Sequence, residues 1–180
     1  MSATAAPATA DVSSMDFRRA MRRPASAVAI VATGNIGRRA GVTVTAVCSL
    51  SDRPPSLLIC IYCQSAVLEP IRANGRFSVN YLGAEHAELA SLFAGQRGVA
   101  GDARFEPSDW SILRTGAPVL TSAVASFDCY LDREIDSPTH AVLFGRVAAL
   151  MDRPESRKPP QKQGLIYSEG AFGRFDPLPL

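Results

Sequence analysis

"GVTVTAVCSLSDRPPSLLICIYC" runs from Gly41 to Cys63. Both ends are rich in β-branched and apolar residues, and Ser-Asp-Arg-Pro-Pro punctuates the middle. The stretch therefore reads as strand, turn, strand. "PSLLICIY" is a continuous apolar run of strand length. Thr43, Thr45 and Ser49 stand out because a buried strand would carry Val or Ile there. Thr is a good β-former on a half-wet face. The pattern alone favours that plain reading.

Reading outward, strands dominate. "SAVAIVATGNIGRR" gives a further β-rich run before a Gly/Asn/Arg turn, forming a hairpin with the first stretch. "RFSVNYL" alternates, with Phe77, Val79 and Tyr81 one way and Ser78 and Asn80 the other. "VASFDCYLDREIDSP", "HAVLFGRVAALMD" and "GLIYSEGAFGRF" supply three more strands. Helices are few and short. "MDFRRAMRR" (Met15 to Arg23) is amphipathic and stopped by Pro24. "SAVLEPIRAN" is closed by Gly75, and "AEHAELASLFAG" turns Leu89, Leu92 and Phe93 inward before Gly95. Residues 96–118 are too irregular for an element and read as a loop excursion, and "RPESRKPPQKQ" reads as a polar loop. The fold class is mostly β: an antiparallel barrel or sandwich with a few flanking helices.

The chain has 180 residues, 47% of them hydrophobic, and a formal net charge of +2. One globular domain over residues 15–180 accommodates that core, behind an Ala/Thr/Ser/Pro tail over 1–14 that reads as disordered. The 19 basic residues are scattered, so no concentrated face points to nucleic acid. No apolar run reaches the roughly 18 residues of a membrane helix, and the N-terminus lacks the features of a secretory signal. A cytoplasmic protein with four reduced cysteines is expected.

Common catalytic motifs are missing. "GNIGRRAG" is not G-x-G-x-x-G and sits between strands, and neither a Walker loop nor H-E-x-x-H occurs. Cys60 and Cys63 have C-x-x-C spacing, but residues three apart on a strand face opposite ways, and zinc would need a second pair. No metal site is expected. No local nucleophile–base pair is evident, so an enzyme of this sequence would rely on a cofactor.

Seven blocks in order carry a resemblance: "GVTVTAVCSLSDRPPSLLICI", "LEPIRANGRFSVNYL", "LASLFAG", "RFEPSDW", "TGAPVLTSAVASFDCYL", "HAVLFGRV" and "LIYSEGAFGRF". From Phe17 to Phe175 the chain resembles the flavin reductase-like family of FMN-binding split barrels. The family includes reductase components of two-component monooxygenases. The resemblance implies a split antiparallel β-barrel and a homodimer. It implies transfer of hydride from NADH or NADPH to FMN or FAD, with reduced flavin passed to a separate monooxygenase. A flavin-binding carrier or redox sensor without turnover is the alternative.

By the same resemblance, Thr45, Ala46, Cys48 and Ser49 lie along the isoalloxazine edge. Gln64, Ser65, Ala66 and Val67 match the phosphate-side loop, where Ala66 and Val67 replace hydroxyls usual in the family. Ser65 reads equally as a simple helix cap. His140 is implied at the nicotinamide side, although a lone His at a strand start is also an ordinary surface residue. Asn80 is implied as a flavin contact and Arg97 as a phosphate contact, with solvated surface the plainer reading of Arg97. Phe172 stands where the family carries a polar aromatic, so it could stack but not hydrogen-bond, or simply fill the core. No side chain is expected to act as acid or base.

Overall fold

The computed structural model describes residues 11–152 and 163–176. Residues 1–10 of the expected tail and 153–162 of the polar loop lie outside the described residues. The elements are α1 (Ser14–Met21), β1 (Ser26–Ala27), β2 (Ala29–Thr33), β3 (Ala40–Val44), β4 (Val47–Asp52), β5 (Pro55–Tyr62), α2 (Leu68–Asn74), β6 (Arg76–Tyr81), α3 (Ala87–Phe93), β7 (Trp110–Ile112), β8 (Pro118–Leu120), β9 (Ala125–Asp136), β10 (His140–Asp152), β11 (Leu165–Ser168) and β12 (Ala171–Arg174). Ser13 caps α1, its Oγ accepting the Asp16 amide at 3.1 Å. Gly75, at φ 61°, ends α2 in the left-handed conformation that a side chain disfavours.

Seven strands form one antiparallel sheet in the order β3-β2-β6-β9-β10-β5-β4. Its two edges are β3 and β4, yet only Thr45 and Ala46 separate them in the chain. The three peptide steps from Val44 to Val47 span at most about 10 Å. The sheet must therefore curl until its edges nearly meet. The result is a barrel with one unzipped seam, as expected from the resemblance.

The barrel interior is filled by Ala29, Val31, Ile59, Ile61, Phe77, Val79, Cys129 and Leu143, all buried, with Val67, Leu68 and Ile71 packed on the same cluster. A second core lies on the other face of β2. There Val28, Ile30 and Ala32 meet Phe93 of α3, Leu120 of β8 and Leu165 of β11. Gly41 lets β3 approach α3, since a Cβ there would come within 2.7 Å of the Phe93 ring.

β6 runs between the two cores. Ser78 and Asn80 do face away from Phe77 and Val79, but that side is buried beneath β8. The excursion over 96–118 also contains structure. A 3-10 turn spans Gly101–Phe105, and β7 pairs with β8. It is anchored by Arg39, whose Nε donates to Asp102 Oδ1 at 2.8 Å and whose Nη2 donates to Oδ2 at 2.8 Å. Phe105 and Trp110 pack together at 4.8 Å between ring centroids and both pack on Phe93. Non-local aromatic packing orders this segment, and local periodicity carries no trace of it. "GLIYSEGAFGRF" is likewise two strands. Glu169 (φ 52°) and Gly170 (φ 87°) form a tight hairpin turn between β11 and β12.

Candidate functional site

The seam between β3 and β4 exposes backbone and side chains at the barrel rim. The Cys60 amide donates to the Ala46 carbonyl at 3.0 Å, fixing the first pairing of β4 on β5. Antiparallel alternation then turns the backbone groups of Ser49 towards the open edge. Thr45, Ala46, Cys48 and Ser49 are all exposed along this edge. Thr43 differs: its Oγ1 donates to the Ala90 carbonyl at 2.7 Å and fastens β3 to α3.

β5 carries the chain from this edge to a second group. Cys63, Gln64 and Ser65 form the turn after β5, where the Ser65 amide donates to the Tyr62 carbonyl at 2.8 Å and the Cys63 amide to the Thr139 carbonyl at 3.0 Å. That second bond brings in His140, which pairs with Tyr62 across β5 and β10. The two rings sit 5.6 Å apart, tilted by 57°. The Thr139 hydroxyl lies 2.9 Å from His140 Nδ1. His140 is exposed beside the turn. At about 3.3 Å per residue, Cys60 and Cys63 are roughly 10 Å apart along the strand. The Thr45–Ser49 edge and the Gln64–Ser65–His140 group therefore flank one stretch of rim.

A flavin needs donors for ring acceptors and an acceptor for N3–H without bulk over the ring. Among the described residues, the hydroxyls of Thr45, Ser49 and Ser65 and the amide of Gln64 make no hydrogen bond within the protein. Thr43, Ser78 and Asn80 are internally bonded. The residues present thus fit the group: unengaged polar atoms on two adjacent segments, with small Ala46 between them.

Other assignments move. Asn80 is fully buried and uses every hydrogen-bonding position. Its Nδ2 donates to the Ile30 carbonyl at 3.1 Å and to Ser78 Oγ at 2.9 Å. Its Oδ1 accepts from the Leu120 amide and from Ser126 Oγ, each at 2.9 Å. It has nothing left for a ligand. Val67, not Ser65, is the N-cap of α2, with no side-chain cap bond. Val67 is buried and could meet a ligand only through its backbone, whereas Ala66 is exposed. Arg97 is paired with Glu88 and lines a separate cavity of about 350 Å³ with Glu85, His86, Leu92 and Pro107. Phe172 is half-buried against Tyr167 at 5.5 Å on the three-stranded sheet β1-β11-β12, packed on the second core.

The structure also brings together a serine and a histidine that are distant in sequence. His86 Nε2 lies 2.9 Å from Ser122 Oγ. The Gly83 amide donates to His86 Nδ1 at 3.1 Å, so in the neutral ring Nδ1 is unprotonated and Nε2 carries the proton. That nitrogen then donates to Ser122 and cannot act as its base. Among the described residues no cluster of three His, Cys, Asp or Glu side chains could hold a metal ion. No helix among them is long and apolar enough to cross a membrane.

Comparison with known proteins shows the family. The flavin reductase like domain matches residues 21–176. The chain is 40% identical over 161 residues to the FMN reductase (NADH) RutF of Yersinia enterocolitica, covering 89% of this chain and 84% of the relative. It is 43% identical over 136 residues to the protein of the same name from Agrobacterium fabrum, covering 76% and 77%. Among solved structures, the NADH:FAD oxidoreductase SgcE6 of Streptomyces globisporus, in complex with NAD and FAD fragments, superposes with a TM-score of 0.78 at 27% identity over 91% of this chain and 93% of that one. BorF, the flavin reductase component of a bacterial two-component tryptophan halogenase, gives 0.80 at 28% over 92% and 100%. With a seamed barrel, a rim of unengaged hydroxyls and a domain match over almost its whole length, the chain belongs to the flavin reductase-like family.

Proposed function

We propose that this protein is an NADH-dependent flavin reductase that takes FMN at the β3–β4 seam and releases reduced flavin to a separate monooxygenase. The observation that carries the reading is the division among its polar side chains. The hydroxyls of Thr45, Ser49 and Ser65 and the amide of Gln64 are unengaged, while Ser78 and Asn80 beneath β8 are bonded internally.

The cofactors supply the chemistry: nicotinamide gives the hydride and flavin accepts it. The protein contributes position. Thr45, Ser49 and the edge backbone donate to and accept from the ring edge. Gln64 and Ser65 reach the ribityl and phosphate end. His140 lies beside the same turn, on the side where the hydride donor would stack, and hydrogen-bonds its carboxamide. Stacking at about 3–3.5 Å contributes most of the rate, and no side chain needs to move a proton. Cys48 and Ala46 contribute backbone and leave the ring face open.

We assign the working form as a homodimer. Tyr62, Ile135 and Leu150 are large apolar side chains left exposed on β5, β9 and β10, and a second copy would cover them. A monomer of 19.2 kDa in sedimentation at micromolar concentration would contradict that assignment.

Steady-state NADH oxidation with FMN, FAD and riboflavin in turn tests the main reading. Turnover that saturates in NADH and in flavin is expected, and turnover with NADH should exceed that with NADPH. Flavin binding with no NADH oxidation would make the chain a carrier or sensor.

A further inference from the structure

The flavin edge contains a pair of thiols that hydride transfer does not use. Cys48 on β4 is exposed, and Cys60 on β5 is half-buried. Cys48 pairs with Leu58. Cross-strand partners share a face, and Cys60 lies two residues beyond Leu58, so both sulfurs project from the same face of the β4–β5 ladder. The other cysteines are placed differently. Cys63 follows β5 and directs its Sγ at the Ser137 carbonyl, 3.9 Å away. Cys129 is sealed in the barrel, where burial pushes its thiol up to about 12.

We propose that Cys48 is a site of oxidation by hydroperoxides and that Cys60 resolves it, giving a Cys48–Cys60 disulfide across the flavin edge. The source of oxidant rests on the flavin reductase reading: reduced flavin that meets O2 instead of a partner yields hydrogen peroxide at this rim. The Cys48 thiolate attacks one peroxide oxygen. An S–O bond forms, the O–O bond breaks, and hydroxide leaves as water. Cys60 then attacks that sulfur, so an S–S bond forms, the S–O bond breaks, and a second water departs. Two thiols are oxidised and one peroxide is reduced.

Access sets the order of the two steps. Cys48 is the exposed sulfur and reacts first. Burial, and then the charge of Cys48, hold the Cys60 thiol above its ordinary value, which suits a resolving group more than an attacking one. Diagonal partners stand about 7–8 Å apart at Cα, and a disulfide needs less than about 7 Å. Closure must therefore slide the Cys48 end of β4 along β5 towards Cys60. That strand can move: it is a sheet edge, it starts at the Thr45–Ala46 break, and its register shifts between Ser49 and Ser51. The movement would displace the groups that face flavin, so the oxidised protein should hold flavin less well.

The test treats the reduced full-length protein with hydrogen peroxide. The titre should fall from four free thiols to two, and non-reduced peptide mapping should show Cys48 joined to Cys60. FMN affinity should drop roughly tenfold and return with dithiothreitol. In Cys60→Ser, dimedone should trap a sulfenic acid on Cys48. In Cys63→Ser, the bridge should form as before. A titre that stays at four overturns the proposal, as does a bridge or adduct that involves Cys63 instead. A second arm supplies NADH, FMN and air in place of peroxide. If added peroxide makes the bridge but this arm releases no peroxide and makes none, the flavin reductase reading fails and the thiol pair stands.

Discussion

Asn80 accepts the Leu120 amide at 2.9 Å, so one side chain does what a neighbouring strand would otherwise do. β8 lies over β6 without a ladder between them. Ser78 donates to the Pro118 carbonyl and Asn80 receives the Leu120 amide, so two side chains satisfy β8 from below. Pro118 brings no N–H that would need a partner. A polar pair inside an apolar sandwich is stable there because each of its atoms is bonded.

Asn80→Ala should therefore damage the fold and not the flavin site. It leaves the Leu120 amide and the Ser126 hydroxyl short of a partner. Each buried group left unpaired costs about 1–3 kcal/mol. Urea unfolding should show a loss of at least about 2 kcal/mol, while the folded fraction binds FMN with unchanged affinity. Weakened FMN binding at full stability would return Asn80 to the site.

Thr45→Val and Ser49→Ala should behave in the opposite way. Both side chains are exposed on the seam, and each change removes a hydroxyl with little change in volume. Losing one hydrogen bond to flavin costs about 0.5–1.5 kcal/mol, or about two- to twelve-fold in affinity. Urea midpoints should match the parent, because neither hydroxyl has a partner within the described residues. Fluorescence titration with FMN measures the first quantity. Unchanged affinity in both variants would leave these positions as ordinary edge-strand residues.

The Arg39–Asp102 pair gives the excursion over 96–118 a measurable pH signature. Hydrogen bonds from Arg39 hold the Asp102 carboxyl at about 2, below its ordinary 3.8. A carboxyl depressed in the folded state contributes stability above its unfolded value. That contribution is lost as pH falls through the folded value. The gap in stability between the parent and Asp102→Asn should be full at pH 7 and begin to close near pH 4. It should be small by pH 2. A gap that stays constant across this range would mean that the charge on Asp102 does not anchor the segment.

Strand positions were readable from sequence because apolar alternation is local. "PSLLICIY" is the strand β5, but its continuous apolar run implies burial on both faces, whereas only Leu57, Ile59 and Ile61 are buried and the residues between them are half-buried. What was not legible depends on non-local contacts. Nothing near residue 45 announces that the chain leaves one sheet edge and enters the other. The alternation that sets Ser78 and Asn80 opposite Phe77 and Val79 is legible locally, but the β8 cover that buries them is supplied 40 residues away. Within the site, the Thr45–Ser49 edge came from resemblance and lies where a ligand could reach it. Asn80, Arg97 and Phe172 came from the same source; Asn80 has all its hydrogen-bonding positions filled, Arg97 is paired with Glu88 and Phe172 packs on Tyr167. The approach of His140 to the 63–65 turn is fixed by the β5–β10 register, which no single-sequence pattern encodes.

His140 should matter for the hydride donor and not for the acceptor. Its ring rests on Tyr62 at 5.6 Å, and the adjacent Thr139 carbonyl accepts the Cys63 amide at 3.0 Å. The imidazole is thereby held beside the turn but off the Thr45–Ser49 edge. His140→Ala should raise KM for NADH and leave FMN affinity nearly unchanged. Loss of one such contact corresponds to about tenfold in kcat/KM, about 1.4 kcal/mol, and not to abolition, since hydride transfer takes no proton from the ring. His140→Asn retains a hydrogen-bonding side chain of similar reach and should recover part of the loss. A purely structural role would not produce this split, because disorder in the turn would weaken FMN binding as well. Steady-state kinetics at saturating FMN, paired with FMN titration of the same preparations, separates the two. If FMN affinity falls while KM for NADH holds, His140 belongs to the flavin contacts, and the donor must approach from another face of the rim.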